Sequence, residues 1–217
     1  GTAASLAAYG KMLGASSVIS GVVPQISVIA GTCAGTAAML ACSSDFVIMT
    51  KESEFFMAHN SSSGSAEAAA KSGIASAVCD DDKAAIEKAR DLVNILPVNN
   101  LAPVPMFEFA ENSPVSGTDL KSIINSAADA DSEIEISAEF GNASYTGFVT
   151  IGGATAGIAA AGKEGSKLNS DDCAKLARFM RTCDAFSIPV VTFVNSEGFE
   201  DADAVSSIKA MTTLANR

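Results

Sequence analysis

Two backbone amides are the first chemical feature of this sequence. In the stretch Gly21–Thr50, GVVPQISVIAGTCAGTAAMLACSSDFVIMT, Gly31 and Gly35 interrupt an apolar run, and small helix formers follow from Thr36 to Ala41. A strand that turns on glycine into a helix leaves the first helical amides without intrahelical partners. The N–H groups of Gly35 and Thr36 stand at that point. Such a pair can hold the oxygen of a developing oxyanion, and the small residues Ala34, Gly35 and Ala37 let a substrate approach. The same pattern also serves as a plain glycine-rich turn between core elements, and spacing alone favours that use.

Side-chain chemistry is sparse by comparison. His59 is the one histidine, set in the polar run HNSSSG with no carboxylate or serine at a suggestive spacing, so it reads as a solvated loop residue. No Ser/His/Asp or Cys/His set can be assembled. The five cysteines, Cys33, Cys42, Cys79, Cys173 and Cys183, form no Cys-x-x-Cys pair, which argues for free thiols in a reducing compartment and against a structural zinc site. The run Asp80-Asp81-Asp82 reads as the acidic first turn of a helix rather than a metal site. Arg178 and Arg181 read as outward residues, solvated or paired with acids such as Asp184.

The elements that must position the amides follow from pattern. Ser27–Ala30 and Phe46–Met49 are compact apolar runs of strand length flanking the Thr36–Ala41 helix. Ala3–Ser16 spaces Leu6, Tyr9, Met12 and Leu13 as an amphipathic helix. Asp80–Leu96 is a helix with Ile86, Leu92, Val93 and Leu96 along one face. Pro97, Pro103, Pro105 and Pro114 forbid a long helix and mark 97–117 as an extended linker between two halves, 1–96 and 118–217. Asp119–Ala128 is a short helix, and Tyr145–Ile151, Gly152-Gly153 and Ala154–Ala160 read as a hairpin. Asn169 or Ser170 caps a helix whose apolar face is Leu176, Phe179, Met180 and Cys183, with Lys175, Arg178 and Arg181 facing out. Val190–Val194 after Pro189 reads as a buried parallel strand, with a loop, Asn195–Gly198, at the end where open α/β sheets place ligands. This alternation of strands and helices is an α/β fold.

At 217 residues, with 48% of them hydrophobic, the chain has material for a substantial core. Asp+Glu 25 against Lys+Arg 14 gives a formal net charge of -11, which opposes unspecific binding to nucleic acid or an anionic membrane surface. Apolar stretches are broken short of a membrane span. The expected setting is therefore soluble and cytoplasmic.

Two blocks resemble one family. GVVPQIS followed by GTCAGTAA and SDFVIM is similar to the N-domain core of the carboxyltransferase subunits of biotin-dependent acyl-CoA carboxylases and decarboxylases. Leu168–Phe199, LNSDDCAKLARFMRTCDAFSIPVVTFVNSEGF, is similar to the start of their C domain. The resemblance implies a crotonase-like fold, a spiral of β-β-α units, here the back half of one domain (1–96) joined to the front half of the next (118–217). It implies transfer of a carboxyl group between a biotin carried on a partner, the biotin carboxyl carrier protein, and an acyl-CoA, in a homo-oligomer and without a metal. By carry-over, Gly35 and Thr36 would be the enolate-facing amides, Cys33 and Ala34 would border the acyl-CoA, and Gly198 and Phe199 would lie near the carboxybiotin pocket.

Departures from the family pattern accompany the likeness. The usual second glycine of the amide pair is Thr36, the histidine after Ser-Gly-x-Ala is Ser76, and the Asp-x-Pro-Gly-Phe loop reads Asn195-Ser196-Glu197-Gly198-Phe199. The family's upstream Gly-Gly-Ala-Arg loop and its second, biotin-side oxyanion loop are not within these residues. Two further expectations follow: that the halves could combine, within one chain or as a swapped dimer, into a single circularly permuted spiral with Val190–Val194 beside Ser27–Ala30; and that the chain could instead be a noncatalytic scaffold, or another crotonase-type hydratase or hydrolase using Glu67 or Glu197.

Overall fold

The computed structural model describes residues 2–58, 64–112, 117–200 and 204–216. Chain order is α1 (Ala3–Ile19), β1 (Ile26–Ile29), β2 (Thr32–Ala34), α2 (Thr36–Cys42), β3 (Phe46–Thr50), β4 (Glu54–Phe56), α3 (Ala66–Lys71), β5 (Ala77–Cys79) and α4 (Asp82–Ile95), followed by α5 (Leu120–Ala127), β6 (Ile134–Glu135), β7 (Ser144–Ile151), β8 (Ala154–Gly165), α6 (Ser170–Ala185), β9 (Val190–Ser196) and α7 (Ala204–Ala215). Most starts are written in the sequence. Asp81, Asp119 and Asn169 each cap a helix by accepting a backbone N–H, and at α6 the carboxylate of Asp172 returns a bond from the Asn169 amide to close a capping box.

In the first half β1, β3 and β5 form a parallel sheet in the order β1-β3-β5, and β2 pairs in parallel with β4. Parallel strands covered on both faces need continuous apolar residues, and Val47, Ile48 and Met49 of β3 are fully buried. The second half is a four-stranded sheet, β6-β7-β8-β9, in which β7 and β8 make the expected hairpin across Gly152-Gly153 and β8 pairs in parallel with β9. Asp129 braces that turn: its carboxylate accepts from Gly152 N (2.9 Å) and Gly153 N (2.7 Å).

The halves share a core. Phe46, Ile48, Leu92 and Leu96 from the first pack with Phe148, Leu176, Phe179 and Phe186 from the second, and Phe148 meets the ring of Phe46 edge-on at 5.9 Å. The proline-rich segment between them holds no regular element among its described residues, yet it is tied down: Phe107 N donates to Gly153 O (2.8 Å) and Thr155 N to Pro105 O (3.3 Å).

Several expectations are corrected. Val190–Ser196 does not lie beside Ile26–Ile29; the strands belong to separate sheets, so the halves of one chain do not complete a permuted spiral. The strand is parallel, as predicted, but it is the sheet's outer strand, and Val194 is 74% exposed. Along α4 and at its C-cap Leu92 and Leu96 are buried as predicted, but Ile86 and Val93 face out and Ala85 and Ile95 take their places against the core. Helix α1 forms but buries none of its residues, so its apolar spacing finds no core among the described residues.

Candidate functional site

The loop after β1 is built as the sequence suggests, with one change that matters. Thr32–Ala34 is a short strand running parallel to Glu54–Phe56, and the ladder extends one residue further: Gly35 N donates to Phe56 O at 2.9 Å. Gly35 precedes the helix as its N-cap, with φ 62 and ψ -129, a conformation open to glycine. The predicted amide pair is therefore not jointly available. The physical reason is that Gly35, as the N-cap, has no intrahelical acceptor for its amide, and the neighbouring strand supplies one.

Thr36 opens α2, and its amide has no acceptor among the described residues. Its side chain and that of Cys33 are half-buried, while Ala34 is exposed. Burial raises the Cys33 thiol above its ordinary value. The backbone entering this loop is fixed at its base by Gln25, whose N–H donates to the Asp45 carboxylate (2.8 Å) and whose side chain accepts from Ser16 Oγ (2.6 Å).

Gly198 and Phe199 sit in a second loop, at the end of β9. Ser196 Oγ accepts from Gly198 N (3.1 Å), Leu168 N donates to Gly198 O (2.8 Å), and Glu200 N donates to Leu168 O (2.9 Å). The loop is thus stitched to the segment before α6, with Phe199 40% exposed rather than plugged into the core. None of the six predicted site residues lines the hollows of about 380, 370 and 220 Å³ that open elsewhere on the surface.

Other predicted roles resolve differently. Glu67 is paired with Lys71 one turn along α3 (2.6 Å) in an exposed ion pair. His59 lies outside the described residues. Lys175 and Arg178 do not face out. Lys175 is 4% exposed, and Nζ donates to the carbonyls of Ser144 (3.0 Å) and Gly141 (3.4 Å). Burial, together with the nearby charge of Lys163, draws its pKa down to about 8. Arg178 reaches across to the first half, donating to Gly73 O (3.0 Å) and Asp45 O (3.4 Å). Position on a helical wheel could not reveal either, because the covering surface comes from residues some thirty to a hundred positions away in the chain.

Similarity to known proteins agrees with the fold. The family model for the carboxyl transferase domain matches residues 2–205. The chain is 33% identical over 230 residues to the propionyl-CoA carboxylase beta chain of Roseobacter denitrificans, covering 90% of this chain and 44% of that one. It is 33% identical over 226 residues to the methylmalonyl-CoA carboxyltransferase 12S subunit of Propionibacterium freudenreichii subsp. shermanii, covering 90% and 43%. A crystal structure of transcarboxylase 12S, a hexamer assembly with methylmalonyl-coenzyme A and methylmalonic acid bound, superposes with a TM-score of 0.88 at 30% identity, over 96% of this chain and 47% of that one. The chain spans less than half the length of these relatives. Among the described residues no helix is long and apolar enough to cross a membrane, and no cluster of His, Cys, Asp or Glu could hold a metal ion.

Proposed function

We propose, for a chain that belongs to the carboxyl transferase domain family, that it forms part of an acyl-CoA carboxyltransferase, moving a carboxyl group between carboxybiotin and the α-carbon of an acyl-CoA. The observation that carries this reading is the match over residues 2–205 together with a superposition that spans 96% of the chain, both halves included. Residues 1–96 would be the back half of an acyl-CoA domain, 97–117 the link, and 118–217 the front half of a biotin-facing domain. The mechanism needs no side-chain nucleophile. Removing the α-carboxyl group, or a proton, leaves an enolate whose oxygen must be met by N–H donors in a dry site, each worth a few kcal/mol.

Here the Thr36 amide at the start of α2 is the donor left to do this, with Cys33 and Ala34 bordering the thioester. Gly198 and Phe199 would border biotin, which is carried by a partner, and the working form would be a cytoplasmic homo-oligomer. A second donor would have to come from release of Gly35 from Phe56 or from another segment.

The closed Gly35 amide also favours a second reading, a noncatalytic scaffold that keeps the fold. Titration of the chain with acetyl-, propionyl- and malonyl-CoA separates the two. Saturable binding that is lost in Thr36→Pro supports the carboxyltransferase, because proline is tolerated at the first helical position yet removes the N–H. No saturable binding of any of the three supports the scaffold.

A further inference from the structure

The hollow of about 220 Å³ between the halves has a composition that the carboxyl-transfer reading does not use. Its volume is far above the roughly 10–15 Å³ that one water molecule needs, and it opens where α6 faces the segments that carry Asp45 and Gly73. Two cations line it, Arg178 and Lys175, against one carboxylate, Asp45. The Asp45 carboxylate accepts from the Gln25 amide (2.8 Å) and also lies within the field of the Arg178 guanidinium. Lys175 is held in the wall by two carbonyls and meets no carboxylate within hydrogen-bond distance among the described residues. Arg178 spends donors on Gly73 O and Asp45 O, and a guanidinium carries more donors than these two use. The remaining wall includes the rings of Phe140 and Phe179.

We propose that this cavity binds a small aliphatic monocarboxylate, its carboxylate on the Arg178 guanidinium and its alkyl chain against Phe140 and Phe179. The charge count decides the class. Two positive groups and one negative leave a single net positive charge, which suits a monoanion, whereas a second negative charge would meet Asp45. The rings decide the rest, since a bare inorganic anion would leave apolar wall in contact with water. Because Arg178 also holds the carbonyls of the first half, an occupant shares the group that ties the halves together.

The test uses the full chain and carbon-13-labelled propionate and butyrate, followed by NMR titration, with inorganic phosphate and propylamine as the other probes. Saturable shifts with both carboxylates are expected, and Arg178→Met should weaken them about tenfold or more by removing a charge-assisted bond. Ala174 lines the same cavity and is exposed. Ala174→Trp should therefore block the site and abolish the shifts while leaving the thermal midpoint unchanged, which guards against loss of fold in the arginine variant. The proposal is overturned if neither carboxylate saturates, if phosphate or propylamine binds as well as propionate, or if carboxylate binding survives Ala174→Trp.

Discussion

The two sheets solve the same problem in different ways. At the centre of the first, β3 buries Val47, Ile48 and Met49, and the polar atoms it must hide are almost all backbone atoms paired along the parallel ladders. The second buries charge. Asp129, Asp172 and Lys175 are each at most 5% exposed, and each is satisfied mainly by backbone groups of a turn or a cap: Asp129 by Gly152 and Gly153, Asp172 by Asn169, Lys175 by Ser144 and Gly141. A hydrophobic sheet is held by area and packing, which pH does not touch. A sheet pinned by buried charges carries its stability on protonation states. The contrast should be measurable by substitution.

The largest effect belongs to the apolar side. Ile48→Ala removes a fully buried side chain from the shared core and should cost about 3–4 kcal/mol by the lost transfer energy plus the cavity left behind. Urea unfolding should show that loss at equal size at pH 6 and pH 9. A cost that changed with pH would mean that the charged groups of the second half feel the repacking.

Next comes Lys175. Its folded pKa of about 8 lies below the ordinary lysine value, so between pH 8 and pH 10 the unfolded chain holds a proton that the folded chain has released. Stability from this group therefore rises with pH across that window, by on the order of 2–3 kcal/mol. Tyr145 works in the opposite sense only above about pH 10, since burial and the adjacent Glu133 carboxylate raise its pKa. Lys175→Met should flatten the rise between pH 8 and pH 10 in denaturant titrations. An unchanged slope would assign the pH dependence elsewhere.

Asp129 sharpens the comparison from the acid side. Burial opposes its ionisation, but the bonds from Gly153, Thr150 and Gly152 outweigh burial and hold its pKa below the usual carboxylate value. Its contribution is present above the unfolded pKa, near 4, and is lost as pH falls through the folded value. Asp129→Asn keeps the outline of the side chain but removes the charge and turns one acceptor oxygen into an NH2 facing a glycine N–H, and it should cost about 2 kcal/mol at pH 7. The difference from wild type should shrink below pH 3, and a difference that persists there would show that the second acceptor oxygen rather than the charge braces the Gly152-Gly153 turn.

The contrast between the sheets also marks what the sequence could disclose. Period and punctuation located β1, α2, β3, α4, the β7–β8 hairpin and α6, because each is a local pattern of apolar spacing and capping that needs no partner to be recognised. The resemblance located the family. Short pieces such as β2 and β5, three residues each, carry too little pattern to be read and exist because a neighbouring strand receives them. The inward turn of Lys175 and Arg178 failed for the same reason in side-chain form: their acceptors are carbonyls of distant segments. Of the candidate site, the glycine turn and the helix start were legible, and the acceptor of the Gly35 amide was not, because Phe56 meets it only after the chain has turned back.

Gly35 gives the smallest expected effect, and it probes the backbone-only strategy of the first sheet directly. Its φ of 62 and ψ of -129 belong to glycine, while a Cβ built there would meet only Met57 O at 3.9 Å. The cost of Gly35→Ala is therefore conformational rather than steric, about 1–2 kcal/mol, and it falls on the last rung between Gly35 N and Phe56 O. If relief of that strain frees the rung, hydrogen exchange at residue 35 should accelerate well beyond the global loss of stability, with the amides of β3 unaffected. Slow exchange at residue 35 despite the lower stability would show that the ladder, not the glycine conformation, fixes the loop, and that an enolate oxygen arriving at Thr36 would find a single amide.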